Sequence, residues 1–153
     1  MIVHTTLDHV RYIVKNLRPE ERMELAAMGQ DIMDSIRYSF LMSNPCYTWI
    51  HNNRPMMILG IGKPVAFEDF ADIWIASTEE TNNHKIAMIR NSKRIIGILQ
   101  GTHQRIGSHI DARLKSTLKW VRFLDFHVGE AQPNRETGAL FHYCYKDIST
   151  CHH

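Results

Sequence analysis

The sequence contains little that marks a specialised class of protein. Only three of its 153 residues are cysteine, an odd number with no close pair: Cys46, Cys144 and Cys151. This usage argues against a disulfide framework and fits a reducing compartment, so we expect synthesis in the cytosol. Internal repeats and low-complexity segments are also missing, which argues against a repeat architecture or a long linker.

Long hydrophobic runs and a strong charge of one sign are missing as well. No apolar run approaches the length of a membrane-spanning helix, and charged residues enter the first 16 positions too early for a signal peptide. The formal net charge is only +2, so the field of the whole molecule does not indicate nucleic acid or an anionic membrane as a partner. We therefore expect no membrane insertion.

What the sequence does contain is enough apolar material for one core. Hydrophobic residues make up 44% of the chain and charged residues 22%. A chain of this length buries one core of ordinary size and is too short to divide comfortably into two domains. We predict one domain over residues 1–148, followed by a flexible tail over residues 149–153.

The first half of the chain predicts a short strand, three helices and two paired strands. Asp8, Pro19 and Asp31 stand where the three helices begin, because Asp caps a helix and Pro fits its first turn. Asn52 and Asn53 are typical of a hairpin tip. The unalternating apolar run 56–61 predicts a strand that is covered on both faces.

The second half predicts a further strand, a long helix, a strand, a helix and a last strand. The long helix runs from His84 to Gln100, and the next strand covers residues 106–112. Ser116 can cap the following helix, whose apolar side extends to Val128. Alternation over residues 139–146 predicts the last strand. The complete order is β, α, α, α, β, β, β, α, β, α, β, which indicates a mixed α/β fold.

Five blocks of this sequence, in this order, resemble small acetyltransferase-like proteins of tailed bacteriophages, including the internal virion protein of podoviruses. The blocks are RPMMILGI, DIWIAST, HKIAMIRNSKRIIGIL, HIDARLKSTLKWVRFLDFHV and ALFHYCYK, and the resemblance covers roughly residues 30 to 147. These proteins are similar to the GNAT superfamily of acetyltransferases. The resemblance implies an α/β (α+β) GNAT-like acyl-CoA N-acyltransferase fold, with a central mixed, mostly antiparallel sheet flanked by helices.

The sequence departs from the enzymes of that superfamily at three places. Those enzymes bind the diphosphate of acyl-CoA on a glycine-containing loop before the long helix, where this chain reads STEETNNHK and carries Glu79 and Glu80. Leu114 stands where the resemblance implies an asparagine. Phe123 stands where it implies a tyrosine that protonates the leaving thiolate.

These departures lead to a first hypothesis and two alternatives. The first is a phage-encoded, non-catalytic protein that needs no cofactor, binds virion or host proteins in assembly, and resides in the virion or the host cytoplasm. The second is an acetyl-CoA-dependent N-acetyltransferase that modifies a host protein or a small amine, in which a backbone N–H of the fourth strand stabilises the oxyanion. The third is an inhibitor that binds the surface of a host factor.

The enzyme hypothesis assigns residues to two roles. Acetyl-CoA would contact the end of the fourth strand and the start of the long helix, at Ile75, Ala76, Ser77, Thr78, Asn82, Asn83 and His84. The candidate catalytic residues are Glu79 and His84 as general bases, and Tyr143 and Tyr145 as the phenols that remain on the last strand.

Basic residues near the last two helices form a candidate partner surface. They could contact an acidic partner, DNA phosphates without sequence preference, or the adenosine phosphate of CoA. These residues are Arg90, Lys93, Arg94, Arg113, Lys115, Lys119 and Arg122. No metal site is predicted, because the potential ligands at residues 142–144 and 151–153 lack a conventional zinc spacing.

Overall fold

The computed structural model describes residues 1–62, 70–101, 103–134 and 138–147. The strands within them are β1 (Ile2–His4), β2 (Cys46–His51), β3 (Arg54–Ile61), β4 (Phe70–Ser77), β5 (Arg105–Asp111), β6 (His127–Pro133) and β7 (Leu140–Asp147). The helices are α1 (Leu7–Lys15), α2 (Pro19–Ala27), α3 (Ile32–Leu41), α4 (Lys85–Gln100) and α5 (Lys115–Phe123), with a 3-10 helix over Glu79–Asn83.

The strands form one sheet in the order β1-β2-β3-β4-β5-β7-β6. All neighbours are antiparallel except β4 and β5, which run parallel. This central, mostly antiparallel sheet with flanking helices is the predicted fold class, which is confirmed. The single parallel contact lies at the centre of the sheet and joins its two halves.

Helices cover the two faces of the sheet unequally. One apolar cluster packs α4 and α5 against the sheet, and a second packs α1 and α3 against the opposite face of β2, β3 and β4. Strand β3 contributes to both clusters, with Met57 and Leu59 on one side and Ile58 on the other, all fully buried. The prediction that the run 56–61 is covered on both faces is therefore confirmed.

Local signals in the first half were mostly sufficient to place its elements. Asn52 and Asn53 adopt positive φ values of 51° and 60° at the tip of the β2–β3 hairpin. Pro19 occupies the first turn of α2, and the Asp31 side chain caps α3 by accepting from the Asp34 N–H. The predicted cap of α1 was wrong: Thr6, two residues before Asp8, forms a capping box with His9.

The end of the chain differs from the prediction. Helix α5 ends at Phe123, and Asp125, at φ 65°, reverses the chain. Val128 then lies in β6, an edge strand that pairs only with β7 within the described residues. The helical spacing of Val128 was coincidental, and β6 was missed because most of its side chains are exposed and do not alternate. The order therefore contains one strand more than predicted.

Two further expectations concern the C-terminal tail and membrane insertion. The predicted tail, residues 149–153, lies outside the described residues. Among those that are described, no helix is both long and apolar enough to cross a membrane.

Substitution of Gly107 tests the packing of β5 against β7. A Cβ at Gly107 would overlap the carbonyl oxygen of Cys144 and lie 3.0 Å from the Tyr145 Cα, both backbone atoms. We expect Gly107→Ala to lower the free energy of unfolding by about 1–3 kcal/mol, as overpacking does. Chemical denaturation measures the change.

Gly97→Ala is the matched control. A Cβ at this exposed position of α4 meets no atom within 4 Å. Alanine should therefore stabilise the helix by about 0.5–1 kcal/mol. Equal effects of the two substitutions would contradict the strand packing described above.

Candidate functional site

Strands β4 and β5 diverge soon after they meet. Within the described residues they pair only where Phe70–Asp72 face Arg105–Gly107. Beyond Asp72 the strands separate and leave an opening of about 170 Å³, which we call the inner cleft. Its lining includes Glu21, Glu24 and Leu25 of α2, Ile75 of β4, His109 of β5 and Trp120 of α5.

The register of the sheet decides which backbone groups of β4 face this cleft. The Thr78 N–H donates to the Met56 oxygen at 2.9 Å, and the Gly62 N–H donates to the Asp72 oxygen at 2.8 Å. Alternate residues of an antiparallel strand bond to opposite neighbours, so even-numbered residues of β4 face β3. The N–H groups of Ile75 and Ser77, which lie beyond the paired residues, consequently face the opening.

Glu21 of α2 and Arg18, the residue before α2, form hydrogen bonds to the Ser77 backbone across this opening. The two carboxylate oxygens of Glu21 each lie 3.2 Å from the Ser77 nitrogen, and the Ser77 hydroxyl also donates to Glu21. The Arg18 N–H donates to the Ser77 carbonyl oxygen at 3.0 Å. The edge of β4 is therefore closed at Ser77, whereas Ile75 faces the cleft.

Glu21 is a buried carboxyl group that titrates near neutrality. Only 8% of the surface of Glu21 is exposed. Burial raises the pKa of Glu21 to about 7, although the hydrogen bonds from Ser77 and the charge of Arg18 act in the opposite direction. A carboxyl group with this pKa accepts and releases a proton readily at neutral pH, as a general base requires.

Sequence reasoning missed Glu21. It lies in the first turn of α2, where acidic residues are common because they interact favourably with the helix dipole. Its burial depends on the contact with Ser77, which is 56 positions away in the chain. No local pattern distinguishes such a glutamate from a solvated one.

Glu24, one helical turn after Glu21, reaches the opposite wall of the cleft. Its carboxylate accepts from the Ser116 N–H at 3.1 Å and from the Ser116 hydroxyl at 2.9 Å. The predicted cap of α5 was therefore wrong: Leu114 is the N-cap residue and has no polar side chain, and Ser116 lies inside the helix. Glu24 satisfies the start of α5 instead, so α2 spans the mouth of the inner cleft.

A second opening, the outer groove, adjoins the inner cleft at Trp120 and has a volume of about 500 Å³. It lies between α4 and α5, and the start of α2 closes one side. Three cations and one carboxylate are among its lining residues, so its field is positive. The residues used below are Arg18, Glu20, Asn82, Lys85, Lys119 and Phe123.

The start of α4 lies beside this groove. The His84 side chain makes no capping hydrogen bond within the described part of the chain, although α4 is 16 residues long. The first intrahelical bond that reaches back to His84 comes from Met88, so the N–H groups of residues 85–87 remain at the helix terminus. This terminus and the adjacent Lys85 favour an anion.

The segment before α4 is arranged differently. The N–H groups of Thr78, Glu79, Thr81 and His84 all donate to backbone oxygens. A 3-10 helix thus occupies the position where the resemblance implies a glycine-containing anion loop. The available helix terminus lies one short turn later in the chain.

The structure scatters most of the catalytic residues nominated from sequence. The described linings of the inner cleft and outer groove include none of Glu79, His84, Tyr143 and Tyr145. The two tyrosine rings stack at 5.3 Å, on the face of β7 opposite the buried Cys144. His84 lies at the start of α4 with its ring 4.9 Å from that of His51.

The residues nominated for acetyl-CoA fall in several environments. Ile75 lines the inner cleft and Asn82 the outer groove, where its side chain donates to Glu20 at 3.4 Å. Ala76 packs in the core cluster of α1 and α3, while Ser77 and Thr78 are buried. Asn83 is exposed on the far side of the 3-10 helix, beside Glu79.

The nominated basic residues lie in several environments. Lys119 lines the outer groove, whereas Arg113 lines a different opening, and its guanidinium donates two hydrogen bonds to Asp111. Lys93 lies 3.7 Å from Asp125. Exposed positions on α4 and α5 carry the remainder: Arg90, Arg94, Lys115 and Arg122.

The metal-ligand types at residues 142–144 are placed in β7. The His142 ring contacts the Gly129 oxygen at 2.8 Å, and Cys144 is fully buried. Residues 151–153 lie outside the described part of the chain. In the part that is described, no group of three or more His, Cys, Asp or Glu residues could hold a metal ion.

Comparison with known proteins identifies the architecture. No protein-family model matches the sequence, and no curated protein matches it. Solved structures do match. An acetyltransferase of the GNAT family from Streptococcus pneumoniae is 13% identical, with a TM-score of 0.62, 97% of this chain and 99% of that chain being covered. The chain has the GNAT acetyltransferase fold.

Two further GNAT-fold structures extend the comparison. RimL, a ribosomal α-N-protein acetyltransferase in complex with coenzyme A, is 11% identical with a TM-score of 0.68, covering 96% of this chain and 93% of that one. A spermidine N-acetyltransferase SpeG variant from Vibrio cholerae is 8% identical with a TM-score of 0.67, covering 96% of this chain and 94% of that one. At these identities the comparison concerns the fold alone.

The raised pKa of Glu21 predicts how stability depends on pH. The folded state binds this proton more tightly than the unfolded state, whose carboxyl group titrates near 4.5. The resulting stabilisation is complete below about pH 4.5 and is lost as the pH rises through about 7. Relative to Glu21→Gln, the wild type should lose about 3 kcal/mol of unfolding free energy between those limits.

Urea denaturation at a series of pH values measures this difference. Glu20→Gln is the control, because Glu20 lies beside Glu21 but its pKa is lowered, with Arg18 and Asn82 bonded to its carboxylate. If the difference between the wild type and Glu21→Gln does not change with pH, Glu21 is not a buried group with a raised pKa.

Proposed function

We propose that this protein is an acetyl-CoA-dependent N-acetyltransferase. The observation that carries the proposal is the position of the cation-lined outer groove next to the inner cleft between β4 and β5, the two openings sharing Trp120 as a lining residue. Phosphates suit the outer groove, and a thioester and an amine suit the inner cleft. The GNAT fold, which this chain shares with solved acetyltransferase structures, supports this assignment.

The residues present fit the charge and shape of acetyl-CoA. Arg18, Lys85 and Lys119 supply positive charge for the phosphates, next to the terminus of α4. Apolar side chains of the outer groove, such as Phe123, suit the pantetheine chain and the adenine. The N–H of Ile75 faces the inner cleft and could donate to the acyl oxygen. A diphosphate bound here would lie near the negative charge of Glu20 and would have no glycine-containing loop to contact.

In this proposal Glu21 acts as the general base. The acceptor reacts as the neutral amine, after its ammonium proton has left to solvent; its nitrogen bonds to the acyl carbon and gives a proton to the Glu21 carboxylate, while the Ile75 N–H stabilises the negative charge on the oxygen. The C–S bond breaks, and the thiolate recovers the proton from Glu21. Because Glu21 returns the proton to the thiolate, no tyrosine is needed as an acid. Phe123, at the position where the resemblance implies a tyrosine, is therefore compatible with this mechanism.

The non-catalytic hypothesis is a second proposal with its own support. Glu21 and Arg18 already bond the cleft side of Ser77, and backbone oxygens occupy four N–H groups between Thr78 and His84. These contacts leave fewer groups for a cofactor than an open site would. Association with a virion, residence there or in the host cytoplasm, and binding of host proteins rest on the sequence resemblance alone.

Calorimetric titration with acetyl-CoA tests the outer groove. We expect micromolar binding, roughly −8 kcal/mol, that weakens at least tenfold in Lys85→Glu and Lys119→Glu, because each variant reverses a charge that faces the phosphates. Arg94→Glu is the matched control, with the same charge change at an exposed position of α4 outside the groove. Equal losses in all three variants would point to non-specific attraction, and absence of binding by the wild type would favour the non-catalytic proposal.

The pH dependence of acetyl transfer tests Glu21. A base must be deprotonated to act, so the wild-type rate should rise with pH through about 7, the pKa of Glu21. Glu21→Gln should lower kcat by about 10²–10⁴-fold and remove this rise. Release of the thiol, measured with a set of primary amines, gives the rates.

Glu79→Gln is the control for that experiment. Glu79 was nominated as a base from sequence but lies outside both openings. Its substitution should leave the rate and the pH profile unchanged. Full activity in Glu21→Gln, or loss of activity in Glu79→Gln, would contradict the assignment of the base.

A further inference from the structure

We propose that the acceptor is a short primary amine, positively charged in solution, whose remaining part is compact and apolar. Protein N-termini and long polycations are then poor acceptors. This inference rests on the proposed acetyltransferase function and adds the class of substrate to it. Three features of the inner cleft carry it: the sign of its charge, the nature of its walls and its size.

The two openings differ in the sign of the charges that line them. Among the described residues that line the inner cleft, Glu21 and Glu24 are carboxylic acids and none is Lys or Arg. The outer groove contains Arg18, Lys85 and Lys119. A cation is therefore favoured in the inner cleft and disfavoured in the outer groove. An ammonium group should consequently bind in the inner cleft and a phosphate in the outer groove.

The remaining walls of the inner cleft are largely apolar and include the aromatic residues Trp74, Trp120 and Phe126. The indole N–H of Trp120 donates to the buried Ser92 hydroxyl at 3.1 Å, and that of Trp74 donates to Ser43. Both polar ring atoms are thus engaged by groups that do not line the cleft. Aromatic walls beside carboxylates suit an ammonium group attached to a hydrocarbon.

The size of the inner cleft limits the acceptor. Its volume is about 170 Å³. An apolar cavity of about 150 Å³ accepts one benzene molecule. Because the acetyl group must occupy part of the space, one small ring or a short alkyl chain remains for the acceptor.

Contacts of α2 oppose widening of this space. Glu21 ties α2 to Ser77 on one wall, and Glu24 ties it to Ser116 on the other. The inner cleft shares His109 and Leu114 with a larger opening on its other side, of about 1020 Å³. An extended acceptor would have to lie in that opening, and a peptide substrate is therefore the principal competing outcome.

Two direct measurements separate this inference from the proposed function. Acetyl-CoA affinity reports on the outer groove, while binding of benzylamine to the wild type, followed by NMR, reports on the inner cleft without any transfer. Benzyl alcohol, of similar shape but without charge, is the matched ligand. We expect benzylamine to bind at least tenfold more tightly than benzyl alcohol, and equal affinities would overturn the inference whether or not acetyl-CoA binds.

Acetyl transfer then compares acceptors in the wild type. We expect kcat/KM for benzylamine and butylamine to exceed that for spermidine and for an alanine-terminated peptide by at least 100-fold. A peptide or spermidine that matches the small amines would overturn the inference while leaving the acetyltransferase function intact. Loss of acetyl-CoA binding would instead remove the proposed function, and benzylamine binding would still decide the character of the cleft.

Glu24 should act as a specificity residue for the ammonium group. Glu24→Gln should raise the KM for benzylamine at least tenfold while leaving the affinity for acetyl-CoA unchanged. Glu130→Gln, at an exposed position of β6, removes the same charge away from the cleft and should change neither value. An unchanged KM in Glu24→Gln would contradict the electrostatic part of the inference, and the wild-type comparisons remain decisive if the variant folds poorly.

Discussion

The divergence of β4 and β5 after Asp72 is the constraint on which the rest of the structure depends. Two parallel strands that separate leave backbone N–H and C=O groups without the partners that a sheet normally supplies, and buried groups of this kind are costly unless something bonds them. At Ser77 the chain supplies those partners itself, through Glu21 and Arg18. At Ile75 the edge faces the inner cleft, so the same separation that weakens the sheet creates the place where the proposed function holds an acyl group.

Helix α2 is held over this opening by polar contacts more than by apolar packing. Glu21 is its one buried residue, and the two glutamates that line the cleft bond to opposite walls. Burial of Glu21 is unfavourable when the carboxyl group is ionised, which is why its pKa rises to about 7. The arrangement sacrifices stability at neutral pH in return for a proton acceptor inside the cleft, a compromise that is common at functional sites.

Sequence patterns predicted the fold class, whereas the candidate base Glu21 emerged only from the structure. The Asn52–Asn53 hairpin, the buried strand around Ile58 and the long helix α4 are encoded by neighbouring residues, and the structure confirms them. Strand β6 was missed because it is an edge strand whose exposed side chains carry no periodic signal, while Val128 happened to continue the spacing of α5. The resemblance directed attention to residues 75–84, of which Ile75 and Asn82 line the two openings.

By itself, the sequence determined the mixed α/β class, the order of most of its elements, and the absence of the glycine loop, the asparagine and the tyrosine that the resemblance implies. Only the tertiary structure decided where the chemistry can occur. Glu21 meets Ser77 across 56 positions, and Glu24 meets Ser116 across 92. Burial, a raised pKa and the sign of the charge in a cleft arise from such distant contacts. Local patterns of residues encode helices and strands but contain no information about which of their side chains will meet.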